Sequence, residues 1–160
     1  MRKHDTLRAA LTAAFPDLTR DPQALSIYID KGRIAARAGP GGAYRATGFE
    51  WRYTVNAVLL DFAGDPNHLA VTVLEWIRTA QPERLQNHRT GDEAFSFEVD
   101  ILDDQKADIA ITIELDEAVD IAADGTMTYR DEPDINPPFD GVPPETSLDA
   151  ITLGGAGLLP

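Results

Sequence analysis

Apolar and polar residues alternate along most of this chain, and the period of that alternation changes from segment to segment. In residues 5–15, DTLRAALTAAF, the positions Leu7, Ala10, Leu11, Ala14 and Phe15 recur at helical spacing. Asp5 or Thr6 suits the start of that helix and Pro16 its end. Residues 25–38, LSIYIDKGRIAARA, switch to a strand period. Leu25, Ile27 and Ile29 share one parity, whereas Ile34, Ala36 and Ala38 share the other. Asp30-Lys31-Gly32 lies where the parity changes, which predicts a tight hairpin between two short strands. Residues 39–48, GPGGAYRATG, are glycine-rich and lack the lysine of a phosphate loop, so they read as a connection.

Residues 49–60, FEWRYTVNAVLL, give the longest strand pattern. Phe49, Trp51, Tyr53, Val55, Ala57 and Leu59 fall on one face, with Glu50, Arg52, Thr54 and Asn56 on the other. From Val58 to Phe62 both parities are apolar, which predicts burial on both sides there. Asp65 before Pro66 then suits a helix start, with Asp as N-cap and Pro in the first turn. Leu69, Val73, Trp76, Ile77 and Ala80 continue at helical spacing until Pro82, and ERLQNHRTGDE reads as a loop. Phe95 to Ile101 and Ile109 to Leu115 alternate again, joined by the short DDQKAD, so they form an antiparallel hairpin. Asp124-Gly125 marks a further hairpin in AVDIAADGTMTYR. The expected fold is an α+β two-layer sandwich: a mainly antiparallel sheet with two helices on one face.

From Asp131 the periodicity ends. Residues 131–160 hold six of the chain's 11 prolines. An extended tail is expected there, outside a folded unit of residues 1–130. Its apolar residues, Phe139, Ile151 and Leu153 among them, are spaced as in a segment that docks on a partner.

Charge adds an asymmetry. The net charge is −13. Residues 1–90 carry 12 Lys/Arg against 9 Asp/Glu, residues 91–134 carry 2 against 15, and residues 135–160 carry 3 acidic and no basic residues. An acidic surface repels phosphate, so sequence-specific nucleic-acid binding is not expected. A basic half and an acidic half can instead meet between neighbouring subunits. The basic candidates are Arg33, Arg37, Arg45 and Arg52, and the acidic ones Glu98, Asp100, Asp108 and Glu114. No apolar run reaches membrane-span length, and the N-terminal stretch, broken by Thr12 and Pro16, makes a poor signal peptide, so a cytoplasmic product is expected.

The search for chemistry returns little. The chain has no cysteine, which removes thiol catalysis, thiolate metal sites and disulfides. His4, His68 and His88 match no metal-ligand spacing, and His4 and His88 are expected at the surface. Ser26, Ser96 and Ser147 lie in no nucleophile elbow. Asp100, Asp103, Asp104 and Asp108 lack the spacing of a calcium loop. Asp61, Asp65 and His68 flank the turn at Gly64 and invite a catalytic or metal reading. Local physics assigns them structure: Asp65 as cap, Gly64 as turn residue, Asp61 bonded to the turn backbone. No enzyme activity, metal or cofactor is expected.

Three separated stretches carry a resemblance: LRAALTAAFPDLTRDPQALSIYIDKGRI, FEWRYTVNAVLLDFAGDPNHLAVTVLEWIRTAQPE and FSFEVDILDDQKADIAITIELDEAV. Together they resemble the tail completion protein R (GpR) family of contractile-tailed temperate phages, over residues 7–121 in the same order. The resemblance implies a structural virion protein acting at the head-proximal end of the tail. There it would complete tube and sheath and prepare the tail for head joining. By analogy with tail terminators it would form a ring, with six copies as the expected number. Its partners would be itself, tube and sheath proteins, and neck or head-completion proteins. An acidic channel wall would let DNA slide without sticking. The competing readings are a small cation-dependent enzyme using the acidic strands, and an acidic adaptor; a ring in solution separates these from the first.

Overall fold

The computed structural model describes residues 1–38, 46–86, 93–101, 106–132, 152–153 and 156–157. Arg45, Phe139, Ile151, His88, Asp103 and Asp104 lie outside the described residues, and of Leu153 only the backbone is described.

Five strands form one antiparallel sheet: β1 (Leu25–Ala38), β2 (Ala46–Phe62), β3 (Ser96–Ile101), β4 (Ala107–Ile121) and β5 (Met127–Tyr129). Their order is β1-β2-β4-β3, with β5 also pairing β4. The helices are α1 (Lys3–Ala14), α2 (Pro66–Ala80) and the short α3 (Pro82–Gln86), and a 3₁₀ turn at Pro16–Thr19 follows α1. Two further short strands, β6 (Thr152–Leu153) and β7 (Ala156–Gly157), pair with each other and not with the main sheet. The α+β sandwich read from the sequence is therefore the observed architecture.

One face of the sheet carries the core. Tyr53, Val55, Ala57 and Leu59 of β2 and Ile109, Ile111, Ile113 and Leu115 of β4 are buried. Leu7 and Leu11 of α1 and Leu69, Val73, Trp76 and Ile77 of α2 pack into the same cluster. Each fully buried aliphatic side chain contributes about 1.5–3 kcal/mol relative to exposure, so burial of this face strongly favours the fold.

Two local expectations are corrected, and one device explains both. No hairpin forms at Asp30-Lys31-Gly32; β1 runs straight through it. Ile29 pairs with Val55 and Lys31 with Thr54, so Asp30 is an extra, bulged residue. The bulge resets parity, which places Leu25, Ile27 and Ile29 on the same face as Gly32, Ile34 and Ala36. Likewise Leu59 pairs with Ile109 and Phe62 with Ala107, with one residue in excess. Asp61 there has φ 52°, a left-handed conformation that Asp tolerates better than most residues. Val58–Phe62 is thus not buried on both sides. Leu59 and Phe62 both face inward, while Leu60 is 41% exposed. In addition, Pro82 opens α3 as well as ending α2, within the segment expected to be a loop.

Candidate assembly surfaces

Strand β4 organises what surrounds it. On one side it pairs with β2 along its length. On the other, β3 covers Ala107–Thr112 and β5 covers Val119–Ile121. Glu114 and Asp116 fall in the gap between them, and side chains take the place of a strand. The Arg84 guanidinium donates to the Glu114 carbonyl (3.3 Å), and the Asp116 amide donates to Gln81 Oε1 (3.2 Å). Arg84 also donates to the carbonyls of Glu93 and Ala94. Helix α3 therefore plugs the middle of this edge and satisfies backbone groups that would otherwise be orphaned.

The upper end of β4 is sealed by a buried carboxylate that sequence reasoning missed. Glu117 is 3% exposed. It accepts from the amides of Arg2 (2.8 Å) and Lys3 (3.2 Å) and from the Tyr53 hydroxyl. It thus caps α1 from another element, in place of the expected Asp5 or Thr6, and meets the positive end of the helix. Burial alone would raise the Glu117 pKa. The Tyr53 hydroxyl and the two amides outweigh burial and hold it below the usual carboxylate range. Burial, and then the bond to Glu117, push the Tyr53 hydroxyl up. Lys3 is buried as well and donates to Gln81 Oε1 (2.8 Å) and Glu132 Oε1 (2.6 Å). Arg2 stacks over the Tyr129 ring at 4.4 Å. The N-terminus is thereby clamped, and His4 sits half-buried beside Asp5 (3.2 Å) rather than at a frayed end.

The turn at Gly64 is held by local contacts. Asp65 accepts the Asn67 amide at 2.8 Å and caps α2, as read from the sequence. A Cβ on Gly64 would lie 2.6 Å from the Phe62 ring, so any larger residue requires that packed ring to shift. Asp61 differs from expectation: its amide donates to the Asp108 carboxylate (2.9 Å), and its own carboxylate faces Lys106 at 3.5 Å. His68 packs its ring on Phe15, 4.9 Å between centroids. Among the described residues no three His, Asp or Glu side chains are placed to hold a metal ion.

The expected interface charges divide into two sets. Arg37 lies opposite Gly48, which lies opposite Asp120, and it reaches across that glycine to the Asp120 carboxylate at 3.3 Å. Arg52 pairs with Glu50 at 2.5 Å, Asp108 is tied to the Asp61 amide, and Glu114 lies 3.9 Å from Arg84. Those four are engaged within the chain. Arg33, Glu98 and Asp100 are exposed and make no ion pair with another described residue. A shallow pocket of about 530 Å³ lies where Arg33, Arg52, Glu83, Arg84, Glu114 and Asp116 converge. Its mixed signs give no strong field for an ionic substrate.

The lower, β3 end is open. Phe97 is 64% exposed, Val99 47% and Ile101 76%, although all three continue the core-facing side of the sheet. Among the described residues, neither β3 nor β1 has a strand on its outer side. No helix among the described residues is long and apolar enough to cross a membrane.

Residues 1–133 match the family described as P2 phage tail completion protein R (GpR). The chain belongs to that family. It is also 35% identical over 139 residues to the tail completion protein R of Escherichia phage P2, covering 86% of each chain. No solved structure matches the chain. The GpR match spans the whole sheet-and-helix unit and runs to the residue after Glu132, the last held by Lys3. Membership supports a structural role in a phage tail, with the tail of the virion as its location.

Proposed function

We propose that this GpR protein completes the tail at its head-proximal end, closing tube and sheath and readying the tail to join the head. It does so as a ring of its own copies, six by analogy with tail terminators. It is assembled in the host cytoplasm and contacts tube, sheath and neck proteins. Family membership over the whole folded unit carries this reading. Two unlike sheet edges, one basic and one acidic, support it, because rings are built from heterologous contacts between unlike surfaces whose rotation closes.

The unit of residues 1–130 and the tail of residues 131–160 divide the work. The tail, with Phe139, Ile151 and Leu153, docks on an adjacent copy or on a neck or tail protein. A chain ending at Glu132, which retains the Lys3 ion pair, is expected to fold with unchanged melting and to fail to complete tails. Light scattering on the purified protein, with negative-stain images of tails after its addition, reads the ring. A strictly monomeric protein that never appears at tail ends would overturn the proposal.

A further inference from the structure

The edges of the sheet carry matching patterns. After the bulge, β1 places Lys31, Arg33 and Arg37 on the helix-free face and Gly32, Ile34 and Ala36 on the helix side. Strand β3 places Glu98 and Asp100 on the helix-free face and Phe97, Val99 and Ile101 on the helix side. Ile34 is 58% exposed. Both strands thus offer apolar residues on the same side of the sheet and opposite charges on the other.

Building on the ring reading, we infer that β3 of one copy pairs edge to edge with the Lys31–Arg37 half of β1 in a second copy. Strand direction permits this without inversion. Along β1-β2-β4-β3 every neighbour is antiparallel, so β3 runs opposite to β1, and a following β1 in the same orientation continues the alternation. The helix side of one copy then adjoins the helix side of the next, with cation against anion on the far face. Strand β3 lies level with the Leu25 end of β1, so reaching Lys31–Arg37 requires the strands to slant, as they do in any closed sheet.

Charge selects this contact over a two-fold one. Two β3 edges related by a dyad would set Glu98 and Asp100 against the same acids, and two β1 edges would set Arg33 against lysine and arginine. Like charges directly opposite each other are destabilising. The helix layer agrees. Trp76 bonds Thr6 of α1 (3.0 Å), and α1 lies on the β1 side, where Arg8 bonds the Leu25 carbonyl. Leu74, 38% exposed, lies around α2 on the flank away from Trp76 and so away from α1, an apolar position left for an incoming copy.

The chain has no cysteine, so paired cysteines report this contact cleanly. One protein carries a single substitution at an outward β1 position (Arg33→Cys, Ala35→Cys or Arg37→Cys), and a second carries Glu98→Cys or Asp100→Cys. Outward positions directly opposite across an antiparallel pair are close enough for a disulfide. Mixed and oxidised in assembled tails, at least one combination is expected to give covalent dimers, and a chain carrying both substitutions a ladder ending at the ring. Efficient dimers from the β3 cysteine alone would establish a two-fold contact and overturn the inference. Imaged rings with no cross-link in any combination would overturn edge pairing and leave the ring reading intact. Absence of both ring and cross-link would sink the two together. Charge reversal gives an independent measurement. Glu98→Lys with Asp100→Lys, and separately Lys31→Glu with Arg33→Glu, are each expected to need at least tenfold more protein to assemble. An equimolar mixture recovers assembly; a mixture no better than either variant alone counts against the contact.

Discussion

The two ends of β4 use the same alternation for opposite purposes. At the Glu117 end, inward positions are buried and the polar exception is enclosed by α1, Tyr53 and Lys3. At the β3 end, Ile109 and Ile111 are buried, yet their cross-strand partners Val99 and Phe97 stand in solvent. Apolar periodicity alone therefore does not separate a core strand from a docking strand. Helix coverage separates them: α1 and α2 reach across β2 and β4 and stop short of β3.

Substitutions can break that contrast in graded steps. Ile111→Ala on β4 should cost about 2–5 kcal/mol in denaturant unfolding, through lost burial and a cavity. Glu117→Gln at the sealed end should cost about 1.5–3 kcal/mol, because bonds to a charged acceptor are replaced by bonds to a neutral one. This residue also carries a pH signature. Its folded pKa lies below the unfolded value, so its stabilisation is complete above the usual carboxylate range and is lost as pH falls through the lowered folded pKa. Melting temperature followed from neutral to acid pH should fall less steeply in Glu117→Gln than in the parent; parallel curves would show that the carboxylate charge is not what seals this end. Asp65→Ala should cost about 1 kcal/mol through the lost cap of α2. Phe97→Ser, although it removes an aromatic from the core-side face, should change unfolding by no more than about 0.5 kcal/mol while weakening self-association. A large loss of stability from Phe97→Ser would show β3 to be part of the core.

The acidic block shows a similar contrast between what its pattern announces and what it conceals. Its carboxylates read as one outward, solvated face, and Glu98, Asp100 and Glu114 behave so. Glu117 breaks the rule in plain view. It continues the parity of Ile109, Ile111, Ile113 and Leu115, a charged residue in an apolar phase. That phase error was the available clue to a buried cap, but its partners, the amides of Arg2 and Lys3, are more than a hundred residues away in sequence. The Asp65 cap was legible because its partner, the Asn67 amide, is two residues away.

Residue order was enough for α1, α2 and the strand character of β1 to β5, for the α+β class, the apolar faces of α1, α2, β2 and β4, the Asp124-Gly125 hairpin and the GpR family. Each rests on local periodicity, local turn chemistry or matched segments. Tertiary structure decided the meaning of each change in parity. An extra residue at Asp30 or Asp61 resets a strand's faces whether the chain turns back or bulges, and only the partner strand's register distinguishes the two. It decided also which charges remained for a partner. Arg37 was claimed by Asp120 across Gly48 and Arg52 by Glu50, while Arg33, Glu98 and Asp100 were left exposed at the edges of the sheet. An ion pair depends on distances of a few ångströms between residues that the fold brings together, and residue order along the chain does not specify those distances.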